Sequence, residues 1–168
     1  MHLYMIYLGG KHTNSLIELH DVRFVAGNTI EETYPLLRES WWGVPDSLHL
    51  DAWGIVRQVD GYDIHLKDFP SQGREQLYFA NLGGYDPLEF TELHKNICIV
   101  AENDLEAKKK ARDKITDWKL PHKDYIHAVE GVWQIQTMLA AQNQFIHLEL
   151  AKKTLPFEFT SNYVPIAV

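Results

Sequence analysis

One short pattern occurs twice in this chain and fixes most of what it can fold into. Leu8-Gly9-Gly10 is followed by Glu18-Leu19-His20, and Leu82-Gly83-Gly84 by Glu92-Leu93-His94. In both places 11 positions separate the first glycine from the histidine. Residues 3–20 laid on 77–94, an offset of 74, give eight identities in 18 positions. At an offset of 75, Val25, Ala26, Asn28 and Glu31 fall on Val100, Ala101, Asn103 and Glu106, which places one extra residue between His94 and Ile99. Leu50-Asp51-Ala52 then lies over Ile126-His127-Ala128 at 76, and Ile64-His65-Leu66 over Ile146-His147-Leu148 at 82. Self-similarity of this kind marks a repeat architecture. The expected organisation is copy one over 1–70, copy two over 71–152, and a tail, 153–168, packed on the body.

Each copy can be read with the other as a check. Leu3-Tyr4-Met5-Ile6-Tyr7-Leu8 is a short apolar, β-prone run, hence a buried strand, and Gly9-Gly10 should end it. In 20–26, Val22, Phe24 and Ala26 alternate with more polar neighbours, so the expected apolar face includes His20. In copy two the apolar positions are Ile97, Ile99 and Ala101, and His94 reaches the same face only through a bulge near Lys95-Asn96. Asn28 and Glu31, like Asn103 and Glu106, form a capping-box pattern that opens a helix. Ile30, Tyr34, Leu37 and Trp41 make a core stripe at helical spacing, with Pro35 kinking or confining it. The second helix should run over 103–118, its Lys108-Lys109-Lys110 face solvated.

Strands are expected at 48–58 and 62–67, turned at Asp60-Gly61, and at 124–136 and 144–151. The longer Thr137 to Asn143 link has room for a helical turn, and the apolar tail should dock on a sheet edge or a partner. The predicted fold is therefore α+β: a tandem duplication of a β-β-α-β-β unit with mostly antiparallel sheets. One main helix per copy and a pseudo-twofold relation complete the expectation.

These residues also carry a resemblance. The paired LGG…ELH segments, the run His20-Asp21-Val22-Arg23-Phe24-Val25-Ala26-Gly27 and the stretch Asn81-Leu82-Gly83-Gly84-Tyr85-Asp86-Pro87 resemble the bacterial family called domain of unknown function 1543. The resemblance spans nearly the whole chain. It implies a bacterial source and one or two copies of the domain per chain. It implies no activity, and no residue role can be carried over from it.

Composition removes several functions. With 45% apolar and 23% charged residues the chain has the make-up of a soluble globular protein. A formal net charge of -7, with no basic half, argues against nucleic-acid binding. No apolar run approaches the roughly 18 residues that cross a bilayer, so no membrane role is expected. The lone Cys98 sits among Ile97, Ile99 and Val100, reads as packing, and suits a reducing cytoplasm. There is no G-x-S-x-G, H-E-x-x-H or Walker loop, so whether the protein is an enzyme stays open.

The candidate site residues are Gly9, Gly10, Glu18 and His20 with Gly83, Gly84, Glu92 and His94. Three uses of them compete. In the first, Glu and His form a buried structural network that holds the Gly-Gly turn. In the second, glycine amides, an acid and an imidazole bind a small polar ligand and do general acid–base work. In the third, His12, Glu18 and His20, and Asp86, Glu92 and His94, ligate a metal. The structural use leads, so the expected function is a non-catalytic binding or assembly module without a cofactor. A small-molecule enzyme or metal protein is the alternative. Asp51, His65, His127 and His147 read as ordinary strand-face residues, and the apolar tail allows a homodimer.

Overall fold

The computed structural model describes residues 1–114, 120–121 and 129–166. The chain divides into two compact units, one of Met1–Pro70 with Met138–Val168 and one of Ser71–Thr137. The strand Phe145–Leu150 and the tail 153–168 thus fall in the first unit.

In the first unit, β1 (His2–Gly10), β2 (Leu19–Gly27), β3 (His49–Ile55) and β11 (Phe159–Pro165) form an antiparallel sheet of order β11-β3-β1-β2. A second sheet is built from β4 (Gln58–Val59), β5 (Tyr62–Lys67) and β10 (Phe145–Leu150). Asp60 and Gly61 join β4 to β5 with positive φ, 50 and 81, the conformation a tight two-residue hairpin requires. Helix α1 (Tyr34–Ser40) packs Leu37 and Trp41 into Tyr4, Ile6, Leu8, Val25, Leu48 and Leu50. Ile30 and Tyr34 lie half-buried against that core, completing the stripe read from sequence. Pro35 falls at the helix start, where its missing N–H costs nothing, and so confines the helix to 34–40.

In the second unit, β6 (Gln76–Tyr85) pairs with β7 (Glu92–Ala101) on one side and, on the other, with β8 (Leu120–Pro121) and β9 (Val129–Gln134). Helix α2 (Asp104–Asp113) buries Ala107 and Ala111 against Tyr78, Ala80, Leu82, Ile99 and Ala101. Asn103 caps it by accepting from the Glu106 amide at 3.0 Å, and the Glu106 carboxylate reaches back to the Glu102 amide at 2.8 Å. The helix closes at Lys114, short of the expected 118, and Trp118 lies outside the described residues. In the first unit the matching cap is displaced: Glu32, not Glu31, accepts from the Asn28 amide. Lys108 and Lys109 are exposed, as a solvated face should be.

Two expectations fail, for one physical reason. No bulge interrupts β7, whose register with β6 is unbroken from Gln76↔Ala101 to Tyr85↔Glu92. The helix-packed face of β2 is not the one that its alternation predicts. The helix-packed face of β2 carries Val25, opposite Tyr4, whereas Phe24 and Ala26 are buried on the other face. Leu3 is buried there too, and β5 contacts β1. With apolar residues on both faces near its end, β2 offers no clean alternation to read. His20 and His94 therefore lie on the face away from the helix, in equivalent register, with no extra residue inside the strand.

Beyond the strands, the link Thr137 to Asn143 is largely 3₁₀-helical, Ile135–Gln142, and β11 of the tail pairs with β3. Gln142 closes the open edge of β2, its amide group exchanging two hydrogen bonds with the Ala26 backbone at 2.9 and 2.8 Å. Such a contact satisfies backbone groups an edge strand would leave unpaired. Among the described residues no helix is long and apolar enough to cross a membrane.

Candidate functional site

Sheet register assembles the site. Gly9 pairs with His20 on one side and with His49 on the other. Directly opposed residues share a face, so His20, Gly9 and His49 form a row across β2, β1 and β3. Tyr7, two residues before Gly9, lies on that face as well. The ladder between β1 and β3 shifts between Tyr7 and Leu8, because Tyr7 faces Ala52 and Leu8 faces Leu50. Asp51 is the extra residue, and this bulge keeps its carboxylate on the Gly9 face while Leu50 stays in the core. Glu18 enters just before β2.

Four side chains close a ring above Gly9, alternating acid and imidazole. His20 Nε2 lies 3.7 Å from Glu18 Oε2 and 3.3 Å from Asp51 Oδ2. His49 Nε2 lies 3.1 Å from Glu18 Oε1 and 3.5 Å from Asp51 Oδ1. The other nitrogen of His49, Nδ1, is 2.8 Å from the Ser47 carbonyl. A carbonyl only accepts, so Nδ1 carries a proton and donates it to Ser47. His49 is 2% exposed. Its Nε2 and Asp51 Oδ2 are buried without a hydrogen bond. Leaving such atoms unsatisfied costs about 1–3 kcal/mol each. As the side chains stand, no group of three or more His, Cys, Asp or Glu among the described residues is set to hold a metal ion.

Aromatic rings frame the row. Tyr7 stacks on His20 with centroids 5.0 Å apart and planes within 3°, and Tyr163 of β11 lies 4.3 Å from the His49 ring. Burial pushes the Tyr7 phenol above its ordinary value, and the nearby Asp51 charge adds to the shift.

Gly9-Gly10 are the last two residues of β1, paired there with His20 and Leu19, and Gly83-Gly84 come one residue before the end of β6. What matters is the missing Cβ. One added at Gly9 would collide with His49 Nε2 and Asp51 Oδ2, and one at Gly10 with the Trp41 ring. Gly9 thus keeps the floor of the site open, and Gly10 lets Trp41 into the core.

The second unit repeats part of this arrangement. Gly83 opposes His94, and Glu92 Oε2 lies 3.7 Å from His94 Nε2, the separation seen for Glu18 and His20. A register shift again falls between equivalent positions, Asn81 and Leu82, with Glu130 the extra residue. The structural match to Leu50-Asp51-Ala52 is therefore Val129-Glu130-Gly131, at an offset of 79, not Ile126-His127-Ala128. His127 lies outside the described residues. Neither His20 nor His94 is buried, their side chains being 36% and 46% exposed.

Of the metal sets read from sequence, His12 packs near Trp42 with centroids 6.0 Å apart, and Asp86 accepts from the Leu88 amide in a turn. His65 and His147 oppose each other on β5 and β10; His147 Nε2 lies 2.8 Å from the Phe69 carbonyl. His49 was missed altogether. Its signal was present: His49-Leu50-Asp51 alternates polar and apolar as Glu18-Leu19-His20 does.

The fold and the site define an α+β protein of antiparallel sheets with a histidine–carboxylate ring at one strand end. The model of the family described as Domain of Unknown Function (DUF1543) matches residues 15–66, which supports the resemblance seen in the sequence. That segment includes Glu18, His20, His49 and Asp51. A crystal structure of a protein Il1583 from Idiomarina loihiensis is similar over 99% of each chain, with a TM-score of 0.76 and 29% identity. No curated protein matches. These likenesses assign no function.

Proposed function

We propose that this protein is a binding module whose site is the ring of Glu18, His20, His49 and Asp51, and that its ligand is a small cation or cationic group. One observation carries the reading: His49 Nε2 and Asp51 Oδ2 are buried, lack hydrogen bonds and adjoin the space left by the absent Gly9 Cβ. The carboxylates of Glu18 and Asp51 bring acceptor oxygens to that space. Two carboxylates in one ring repel each other unless positive charge joins them. A bound cation would supply it.

The test is thermal unfolding in the presence of organic ammonium salts and of divalent metal salts, against sodium at equal ionic strength. A ligand at 100 times its Kd stabilises by about 2.7 kcal/mol, which for a domain of this size raises Tm by several degrees. Asp51→Asn should abolish the rise. If no cation stabilises the wild type more than this variant, the reading fails.

The duplication is part of the same proposal. It is supported by equivalent register shifts in β1 and β6, and by Ile64-His65-Leu66 pairing antiparallel with Ile146-His147-Leu148 about His65↔His147. That is the pairing a twofold operation on a repeated strand would produce. A bacterial cytoplasmic setting accords with the family resemblance and the lone cysteine.

A further inference from the structure

We infer that the first unit carries a second ligand site, lined by Tyr4, Trp53, Arg57 and Glu158, that takes a small zwitterion with an apolar body, of the aromatic α-amino acid class. The site is a cavity of about 270 Å³ beside the end of β3. Tyr4, Trp53 and Ile55 belong to the helix-packed face of the sheet, whereas the ring above Gly9 lies on the other face. The inference goes beyond the cation-binding reading and does not depend on it.

Sheet register builds the cavity. Trp53 of β3 stands between Ile6 of β1 and Thr160 of β11, and Ile55 opposes Tyr4. Ile30, just before the 3₁₀ turn Glu31–Thr33, and Phe159, the first residue of β11, complete its apolar lining. An apolar cavity of about 150 Å³ already holds benzene. This one therefore has room for a single ring with short polar arms, and the Trp53 indole offers such a ring a wide apolar surface.

Three polar side chains on its wall fix the chemistry. Tyr4 is 6% exposed, and no described residue hydrogen-bonds its hydroxyl. A buried hydroxyl without a partner is costly, and a ligand in the cavity would satisfy it. Burial holds the phenol above its ordinary value, with Glu31 adding to the shift and Arg57 opposing it, so at neutral pH the group stays an O–H donor. Arg57 and Glu158 also line the cavity, both exposed, and neither side chain forms an ion pair with a described residue. A guanidinium and a phenolic O–H together suit a carboxylate, and the Glu158 carboxylate suits an ammonium group. A simple anion would meet Glu158 at the wall, and Glu31 and Glu32 near Tyr4; a simple amine would meet Arg57. A zwitterion answers both charges, and its apolar side chain fills the space beside Trp53.

The experiment is titration of the full-length protein with L-phenylalanine, followed by calorimetry and by tryptophan emission, since Trp53 lines the cavity. Phenylpropanoate and phenethylamine, which each lack one of the two charges, are titrated in parallel. The expected result is saturable binding of one phenylalanine per chain, with each analogue weaker by about 10-fold or more. Arg57→Gln and Glu158→Gln should each weaken phenylalanine by about 10- to 100-fold, the range for one lost charge-assisted hydrogen bond. Both side chains are exposed, so these variants keep the fold even if Tyr4→Phe, expected to weaken binding by about 5-fold, disturbs it. Lys109→Gln, exposed on α2 of the other unit, should leave the titration unchanged. Either analogue binding as tightly as phenylalanine overturns the zwitterion assignment. Phenylalanine binding untouched by both Arg57→Gln and Glu158→Gln, or no saturable binding by either readout, overturns the site.

Discussion

At the residue scale, Gly9 is the position where sequence and site meet most closely. Its neighbours across the sheet are two histidines, and the volume a methyl group would fill is bounded by His49 Nε2 and Asp51 Oδ2. Gly9→Ala should therefore abolish cation binding and destabilise the fold by about 1–3 kcal/mol through overpacking, read by urea denaturation. Gly10→Ala should instead disturb Trp41 and shift tryptophan emission, leaving the ring in place.

Tyrosines give a second check. Tyr4, Tyr7, Tyr34 and Tyr78 all ionise above the ordinary value of 10.0, chiefly through burial. A phenol whose folded pKa is raised ionises first in the unfolded chain, so folding stability is present in full below pH 10 and falls as pH rises toward the folded value. Alkaline difference absorbance should show a late-titrating group of tyrosines, and Tyr7→Phe should remove one member.

At the element scale, α2 and α1 show how one capping pattern gives two outcomes. Asn103 and Glu106 form the expected cap, while Pro35 and a 3₁₀ turn, Glu31–Thr33, displace it in the first unit. Asn103→Ala should cost about 1 kcal/mol of stability in chemical denaturation, and Asn28→Ala clearly less. Glu106 is held below its ordinary value by the hydrogen bond from Lys110, with the Glu102 amide adding to it. Its contribution is present above the ordinary carboxylate range and lost as pH falls through the depressed value.

Strand β2 shows the limit of alternation as a signal. Its period-2 pattern was legible, but the face was not, because the first unit covers both sides of the strand near Phe24. The Glu-x-His pairs were legible as repeated features, and their partners on β3 were not. Only pairing across the sheet puts His49 beside Gly9.

At the scale of the whole molecule, the first unit is built from two separate stretches of the chain. Residues 138–168 complete the first unit, with β10 on β5 and β11 on β3, and Ile166 fully buried in its core. A fragment ending at Pro70 should therefore fail to fold cooperatively. Removing residues 154–168 from the full chain should lower stability by at least the 2–5 kcal/mol expected for losing a large buried side chain, measured by circular dichroism in urea.

By itself the sequence determined local matters: the order of strands and helices, the Asp60-Gly61 turn, the Asn103 cap, the apolar stripe of α1 and the repetition of LGG…ELH. These follow from short-range sterics and periodicity, which each segment carries with it. Tertiary structure alone decided which face of β2 is core, where the bulge falls and which strand lies beside Gly9. Those depend on contacts between residues far apart in the chain. The ring of Glu18, His20, His49 and Asp51 is such a contact, brought together by register across three strands.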